Sequence, residues 1–430
     1  MSFVASSPST VMMAMKSCRG KLPVSIITVT LCSFAFLALL YTQRLSFPTS
    51  NSLLKARSCA RRSAVVQAKK VVENPDLDDR FEFDPEECDI TRGKWVFNPS
   101  NKPLYTDRSC PYVERQFSCE KNGQLEFDYR YWEWQPDDCY LPRFDPEVAL
   151  EKLRGKRLVF SGDSLQRNQW ESFVCMVEWT ISPGKKSMKL GKVHNVFKAK
   201  EYNATIEFHW APFLVQSNTE INIKEPKKRI IKVDSVSNTS KDWEGADILA
   251  FNTYVWWMFG IRIKTLWGSF ANGEEGYAQL DTPVAYKIGL KTWANWIDSN
   301  INPNKTRVFF TTMSPIHSKS EEWGREDGLK CFNESEPLKK KNFWGSFAAN
   351  KEMMSAAAGV IKKMKVPVSV LNVTQLSMYR VDAHSSIYTE TAGKLLSPEE
   401  RADPKKHADC IHWCLPGVPD TWNQILFAHL

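Results

Sequence analysis

The chain has 430 residues, of which 43% are hydrophobic and 25% are charged, a composition that indicates a folded globular protein and excludes a disordered one. A mean hydropathy of −0.39 excludes a protein built mainly of membrane-spanning helices. Residues 1–72 hold ten lysines and arginines and no acidic residue, so the formal net charge of +8 becomes −2 from residue 73 onward. The basic charge therefore belongs to the amino-terminal arm, which argues against a nucleic-acid-binding body.

Residues 22–41, LPVSIITVTLCSFAFLALLY, form a charge-free apolar segment that is long enough to cross a membrane as a helix. Twenty residues at about 1.5 Å each match a hydrocarbon core about 30 Å thick. Because three basic residues precede this segment, we expect residues 1–21 to form a cytoplasmic tail. Residues 42–80 show no hydrophobic periodicity and are predicted to form a stem. The alternatives are a cleaved signal peptide and a plastid transit peptide, and an acid-free arm rich in serine and arginine suits the latter.

The cysteines and glycosylation sequons of the body favour the secretory lumen over a plastid. Eight cysteines follow the stem, an even number without a CxxC zinc pair, which predicts disulfide bonds but not their pairing. We therefore expect a single-pass type II membrane protein with a lumenal body. The expected disulfide cysteines are Cys88, Cys110, Cys119, Cys139, Cys175, Cys331, Cys410 and Cys414. The five N-x-S/T sequons lie at Asn203, Asn238, Asn304, Asn333 and Asn372.

The body divides into two parts by composition. Residues 81–145 hold four cysteines, many aromatic residues and frequent turn formers, and they predict a small, loop-rich segment stapled by disulfides. Residues 146–430 alternate short apolar runs with longer amphipathic ones, which predicts an α/β fold with a parallel sheet. The predicted strands are KRLVF (156–160), ADILAF (246–251), TRVFFTTM (306–313) and VSVLNV (368–373), and the predicted helices cover residues 165–178, 285–299 and 346–365.

Ser164 lies in a turn, SGDS at residues 161–164, between a predicted buried strand and a predicted helix. A serine at this position stands at the carboxyl edge of a parallel sheet, where α/β enzymes place their ligands. The free N–H groups at the amino end of the helix suit a developing oxyanion, and Gly162 allows a close approach. The alternative is that Asp163 or Ser164 only caps the helix, and the tripeptide alone would favour that alternative.

His412 is the best candidate for the base that activates Ser164. The chain has only seven histidines, and His412 follows Asp409 by three residues in DCIHW. Residues three apart share one face of a helical turn, so we expect the carboxylate to hold Nδ1–H and leave Nε2 to accept the serine proton. The flanking Cys410 and Cys414 could clamp this loop to the body. An exposed histidine beside an acid is the alternative, but DxxH at the end of an α/β body that begins with GDS is more specific.

These motifs together resemble the plant trichome-birefringence-like family of the GDSL/SGNH hydrolase superfamily. GDS with a carboxy-terminal DxxH is the signature of the superfamily. The more specific motifs are GDSLQRNQWES, YWEWQPDDCYLPRFD (131–145), FNTYVWW (251–257) and DCIHWCLPGVPDTWNQIL (409–426). CDITRGKWVFNPSNKPLYTDRSCPY (88–112) resembles the amino-terminal domain of the family. The resemblance covers roughly residues 85–430 but finds no motif in the insert at residues 183–242.

The resemblance implies a flavodoxin-like parallel sheet flanked by helices, with the cysteine-rich segment packed on it. It also implies a Golgi polysaccharide O-acetyltransferase of the xylan-acetylating branch, with residues 146–430 as the catalytic domain. An acetyl donor, acetyl-CoA or an acetylated intermediate, would be the co-substrate, and xylan or a related hemicellulose the acceptor. Because neither metal-ligand spacing nor a Gly-rich nucleotide loop is present, we expect no metal and no bound cofactor.

For the site, the resemblance implies Ser164 as nucleophile with Asp409 and His412 as its partners. The expected oxyanion donors are the backbone N–H of Ser164 and the side chain of Asn252, for which a strand-terminal turn residue is the alternative. Further support for the site is expected from Gly162, Arg167 and Asn168. Tryptophan faces suit the C–H faces of sugars, although most of the 16 tryptophans must be core. The candidate glycan contacts are Trp132, Trp134, Trp256, Trp257 and Trp413.

Three functions are compatible with these residues. The first is acetyl transfer through an acyl-serine intermediate to the O-2 or O-3 hydroxyls of xylosyl residues, with mannan or pectin as alternative acceptors. The second is a polysaccharide acetylesterase, in which the same triad uses water as acceptor. The third is a non-catalytic glycan-binding wall protein, and intact Ser164, Asp409 and His412 argue against it. The family resemblance favours transfer.

Overall fold

The computed structural model describes residues 83–218, 229–258, 260–267, 277–339, 350–391 and 393–430. The predicted cytoplasmic tail, transmembrane segment and stem lie outside these residues and stay predictions. Within the described ranges, no helix combines the length and the apolar composition that crossing a membrane requires.

The strands form one large mixed sheet and several smaller ones. In chain order they are β1 (Gly93–Phe97), β2 (Trp132–Pro136), β3 (Arg157–Gly162), β4 (Lys186–Lys189), β5 (His194–Ala199), β6 (Ala204–Trp210), β7 (Val215–Ser217), β8 (Ile230–Val236), β9 (Ile248–Phe251), β10 (Arg262–Leu266), β11 (Tyr277–Asp281), β12 (Arg307–Thr311), β13 (Val368–Leu371), β14 (His384–Ser386), β15 (Glu390–Thr391), β16 (Lys394–Leu395) and β17 (Asp409–Trp413).

Of the eight described helices, three lie between strands of the large sheet along the chain, one precedes these strands and four follow them. In chain order they are α1 (Pro146–Lys152), α2 (Ser164–Glu178), α3 (Thr282–Asn300), α4 (Lys351–Ile361), α5 (Thr374–Met378), α6 (Pro398–Arg401), α7 (Pro404–His407) and α8 (Val418–His429). Short 3-10 turns occur in the cysteine-rich segment, among them Arg115–Phe117 and Asp128–Tyr131.

The large sheet has the strand order β13-β12-β9-β3-β6-β5-β4. The strands from β13 to β6 are parallel, whereas β5 and β4 are antiparallel additions at one edge. Numbered along the chain, the parallel strands have the order 5-4-3-1-2, which is the flavodoxin-like order read from the opposite edge. The expected fold class, a flavodoxin-like α/β sheet flanked by helices, is confirmed.

All four predicted strands occur in this sheet, as β3, β9, β12 and β13. The insert at residues 183–242, in which no motif was found, supplies β4 to β8, and β6 extends the parallel sheet beside β3. The predicted helix at 346–365 appears as α4, and its first residues lie outside the described ranges. It ends before the predicted position because the chain must become extended ahead of Pro367 and enter β13.

Apolar side chains cover both faces of the sheet. Leu158 and Phe160 of β3 pack into the cluster that includes α2 and α8, and Val159 packs into the cluster that includes α3 and α4. This alternation follows from the two-residue period of a strand. A strand buried on both faces reads as a continuous apolar run, which is why KRLVF was recognisable in the sequence.

The cysteine-rich segment packs on the α/β body, as expected. Trp95 of β1 donates its Nε1–H to Leu376 O over 2.8 Å, and the Tyr105 hydroxyl lies 2.8 Å from Asp420 Oδ1. These hydrogen bonds join the segment to α5 and α8.

All eight predicted cysteines form disulfides, which confirms that prediction and supplies the pairing. Three bonds involve the segment: one lies within it, one joins it to α2, and one joins it to Cys414 beside His412. The fourth bond holds Cys410 on the other side of His412. The expected clamping role of Cys410 and Cys414 is therefore confirmed. The pairs are Cys88–Cys139, Cys110–Cys175, Cys119–Cys414 and Cys331–Cys410.

Removing the Cys119–Cys414 bond should lower the free energy of unfolding by about 2–5 kcal/mol, because a cross-link over a long loop restricts the unfolded chain strongly. This bond closes a sequence separation of 295 residues. The measurement is urea unfolding of the Cys119→Ser, Cys414→Ser double variant without reductant. The double variant at Cys88 and Cys139, which opens a separation of only 51 residues, is the control and should lose less. Unchanged stability in the first variant would contradict the prediction.

Candidate active site

Ser164 is the first residue of α2, directly after the end of β3. Asp163 is the N-cap, and its Oδ1 accepts from Leu165 N–H over 2.9 Å while its Oδ2 accepts from Tyr254 N–H over 3.3 Å. The capping role suggested for this turn thus belongs to Asp163 and leaves the Ser164 hydroxyl for other contacts. Burial raises the pKa of Asp163 to about 6. A Cβ at Gly162 would lie 2.3 Å from Asn252 O, so this position requires glycine.

His412 reaches Ser164 across the molecule. Its Nε2 lies 2.7 Å from Ser164 Oγ, and its Nδ1 lies 2.7 Å from Asp409 Oδ2. The three side chains predicted to act together therefore form one continuous hydrogen-bonded chain. Ser164 is 9% exposed, and the side chains of His412 and Asp409 are 13% and 15% exposed. The hydrogen-bonded chain is therefore largely shielded from bulk water.

The DxxH motif is a strand and not the helical turn expected from its spacing. Asp409 and His412 lie in β17, and β14 pairs with it through an irregular register in which three residues of β14 face five of β17. Asp409 Oδ1 accepts from the N–H groups of Ile411 and His412 over 3.0 and 3.1 Å. The extra residues and this local turn bring the carboxylate beside the imidazole, although residues three apart on a regular strand point to opposite faces.

The charge distribution suits a base at Nε2. Burial alone would raise the pKa of Asp409, but the imidazole of His412 and the two N–H groups hold it well below its usual range. The carboxylate is therefore ionised and accepts the Nδ1 proton. The Nε2 lone pair then faces the Ser164 hydroxyl, as general-base chemistry requires.

The cysteine-rich segment contributes two residues to the site that the sequence analysis did not identify. Gln116 Nε2 lies 3.1 Å from His412 Nδ1, and the Phe117 ring lies 5.6 Å from the imidazole. Arg167 donates to Gln116 Oε1 over 2.7 Å and forms an ion pair with Glu114 at 2.8 Å. The Nδ1 proton of His412 is donated to Asp409, so it is not shared with Gln116. The contact with Gln116 therefore restricts the position of the imidazole ring. Nothing in the spacing of Gln116 signalled this contact.

Arg167 and Asn168 both support the site through other residues, and neither bonds Ser164 among the described hydrogen bonds. Asn168 Nδ2 donates to Trp413 O over 3.2 Å, and its Oδ1 accepts from Trp413 N–H over 3.0 Å. These two bonds fasten α2, which carries Ser164, to β17, which carries His412.

Asn252 lies directly after β9, at the carboxyl edge of the sheet. Its Nδ2 donates to Thr311 O and Thr312 O over 3.1 and 3.3 Å, and its buried Oδ1 has no partner among the described residues. Its amide therefore faces the end of β12. The role of Asn252 as an oxyanion donor stays a prediction, and it requires the amide to exchange these carbonyls for the oxyanion.

Three of the five candidate tryptophans are core residues. Trp134, Trp257 and Trp413 are 4%, 1% and 0% exposed, and the indole N–H of each donates to a protein atom. A covered ring cannot contact a polysaccharide, so the structure removes these three from the candidate glycan contacts. Trp132 and Trp256 are half-buried and remain candidates.

A flavodoxin-like sheet with a Ser–His–Asp chain at its carboxyl edge defines a serine-dependent esterase or acyltransferase of the α/β class. Residues 141–429 match the GDSL/SGNH-like acyl-esterase family found in Pmr5 and Cas1p, and residues 86–140 match the PMR5 N-terminal domain. The chain therefore belongs to this acyl-esterase family, which confirms the resemblance read from the motifs.

Individual relatives agree with this assignment. The chain is 62% identical over 422 residues to protein trichome birefringence-like 3 of Arabidopsis thaliana, covering 95% of this chain and 97% of that protein. It is 46% identical over 440 residues to probable xylan O-acetyltransferase 8 of Oryza sativa subsp. japonica, covering 97% and 99%. Xylan O-acetyltransferase 6 of the same rice is 47% identical over 351 residues, covering 80% and 63%.

We expect a fluorophosphonate reagent to label Ser164, because the reagent reports serines that a neighbouring base activates. Asp409→Asn should slow the labelling by about 10²- to 10⁴-fold, since the imidazole then loses its orienting carboxylate. The measurement is labelling rate by mass spectrometry, with Ser182→Ala, at an exposed serine, as the control that should label at the wild-type rate. Labelling of Asp409→Asn at the wild-type rate would contradict the arrangement.

Proposed function

We propose that this protein is an O-acetyltransferase that moves an acetyl group through an acetyl-serine intermediate to the O-2 or O-3 hydroxyls of xylan. The observation that carries the proposal is the continuous chain Ser164–His412–Asp409, with 2.7 Å at each contact. It occurs in a chain that is 46% identical, over nearly its whole length, to a probable xylan O-acetyltransferase.

In the first half-reaction, His412 Nε2 takes the Ser164 proton while Oγ bonds to the acetyl carbonyl carbon of the donor. N–H groups at the amino end of α2 stabilise the oxyanion, and Asn252 is the predicted side-chain donor. The tetrahedral intermediate collapses to acetyl-serine, and the protonated His412 returns its proton to the leaving group. Acetyl-CoA, whose leaving group is a thiolate, or another acetylated carrier supplies the acetyl group.

In the second half-reaction, a xylosyl hydroxyl loses its proton to His412 Nε2 and attacks the acetyl-serine carbonyl. Ser164 Oγ then leaves and regains a proton from His412, which restores the enzyme. The ionised Asp409 stabilises the imidazolium in both halves. An acetylesterase would follow the same path with water as the nucleophile, so a bound glycan must exclude water for transfer to dominate.

Ser164→Ala and His412→Ala should each abolish transfer to xylo-oligosaccharides, because one removes the acyl acceptor and the other its base. The measurement is acetylated product against free acetate, by mass spectrometry, with acetyl-CoA as donor. Mannan and pectin oligomers test the alternative acceptors. The control is Ser182→Ala, which should retain full activity. Near wild-type turnover in either triad variant would contradict the catalytic assignment, and release of acetate alone by wild type would favour the acetylesterase.

We further propose that the body lies in the Golgi lumen behind a type II anchor at residues 22–41. The even set of disulfides and the exposure of four sequon asparagines, all but Asn372, support this location. Asn372 differs because its side chain is half-buried, whereas the other four are exposed.

Glycopeptide mass spectrometry of the full chain from plant cells should therefore find N-glycans at the four exposed sequons and little at Asn372. The physical reason is that the transferred glycan needs an accessible side-chain amide. Asn304→Gln should remove one glycan mass, and Asn372→Gln, as the matched control, should remove none. A chain without any glycan in plant cells would contradict the lumenal location and favour the plastid alternative.

A further inference from the structure

Two histidine side chains away from the catalytic triad converge on one carboxylate oxygen of Glu207, towards one edge of the large sheet. His194 begins β5, and Glu207 and His209 lie on β6. His194 pairs directly opposite His209 in the antiparallel ladder, and Glu207 is two residues from His209. All three side chains therefore lie on the same face of the hairpin. The Nε2 atoms of His194 and His209 lie 3.1 and 3.2 Å from Glu207 Oε2.

We propose that His194, Glu207 and His209 bind a divalent transition metal of the Zn²⁺ class. One ligand atom from each residue lies within 4.8 Å of the other two. Tetrahedral bonds of about 2.0–2.1 Å place neighbouring ligand atoms about 3.3 Å apart, close to both measured N···O separations. Two imidazoles and a carboxylate suit Zn²⁺ and Co²⁺, and water completes the coordination.

Burial and access both suit a metal. The side chains of His209 and Glu207 are 1% and 6% exposed, whereas that of His194 is 39% exposed. Solvent therefore reaches the cluster past His194.

Arg157 has two opposite effects on metal binding: it orients the Glu207 carboxylate, and its positive charge repels a cation. Its Nε donates to Glu207 Oε1 over 2.9 Å, its second guanidinium nitrogen donates to Oε2 over 3.0 Å, and the Thr205 hydroxyl donates to Oε1 over 2.8 Å. These bonds orient the carboxylate as outer partners orient metal-bound carboxylates. The guanidinium charge also repels a cation, so the competing arrangement is an ion-pair cluster in which both histidines only hydrogen-bond to Glu207.

A residue beside the cluster can supply the hydrogen bond that a metal-bound histidine needs. His209 Nδ1 has no hydrogen-bond partner among the described residues, and neither has the Ser161 hydroxyl. The two residues are paired in the β3–β6 ladder. Metal binding through Nε2 places a proton on Nδ1, and a rotation of Ser161 then supplies the acceptor that a metal-bound histidine normally has. Because β3 leads directly to Ser164, the metal would brace the sheet edge behind the nucleophile without joining the chemistry.

The test is a titration of the purified full chain, first freed of metal with a chelator, with Co²⁺ and then Zn²⁺. We expect one Co²⁺ per chain with visible d–d absorption that Zn²⁺ abolishes, and a higher Tm with Zn²⁺ than with Mg²⁺. The sequence holds three further cysteines, Cys18, Cys32 and Cys59, and thiolate charge-transfer bands would reveal metal binding at any of them. The expected spectrum lacks those bands.

His194→Asn should weaken Zn²⁺ binding by about 10- to 100-fold or more and remove the Tm increase. This ligand is the most exposed of the three, so its replacement leaves the Arg157–Glu207 ion pair in place. His407→Asn, at a half-buried histidine outside the cluster, is the matched control and should bind as the wild type does. Absence of a saturable Co²⁺ site in the wild type, thiolate bands alone, or unchanged Zn²⁺ affinity in His194→Asn would overturn the proposal.

Discussion

The hydrogen bond between Ser164 and His412 joins residues 248 positions apart, and the rest of the structure holds that contact in place. Ser164 gains its position directly from the sheet, because β3 ends and α2 begins around it. His412 has no such frame, since β17 pairs only with the short β14 among the described strands. A catalytic base must keep its place to within about 0.5 Å. Restraints beyond the sheet are therefore needed on the histidine side.

Those restraints act on β17 on both sides of His412. Disulfides hold the residues at positions 410 and 414, one on each side of His412. Asn168 ties the backbone of Trp413 to the nucleophile helix, and His384 Nδ1 lies 3.0 Å from His412 O. A short strand restrained by covalent bonds and buried hydrogen bonds can hold a side chain as firmly as a wide sheet does. The cysteines next to the base are thus part of its geometry as well as of the stability of the fold.

The elements that could be predicted from the sequence are those that a local pattern of residues encodes. β3, β9, β12 and β13 were recognisable because strands buried on both faces are continuous apolar runs. β6 was not predicted because Glu207 and His209 place polar side chains on one of its faces, which interrupts the apolar run. The same alternation is the reason why the cluster of His194, Glu207 and His209 was not predicted. The spacing of DxxH identified the correct residues with the wrong conformation, since a helical turn and an irregular strand can both bring positions i and i+3 together.

The contact between Gln116 and His412 depends on three-dimensional packing and is not encoded by a local sequence pattern. Gln116 reaches the imidazole only because two disulfides and several buried hydrogen bonds fold the cysteine-rich segment onto the α/β body. A Ser–His–Asp chain accepts water and sugar hydroxyls by the same chemistry, so the choice of acceptor has to come from the surfaces around it. The Phe117 ring is fully buried, so it restrains the base from within the protein and does not contact an acceptor. The half-buried Gln116 belongs to the same segment, and an alteration of that segment must therefore act on the position of His412.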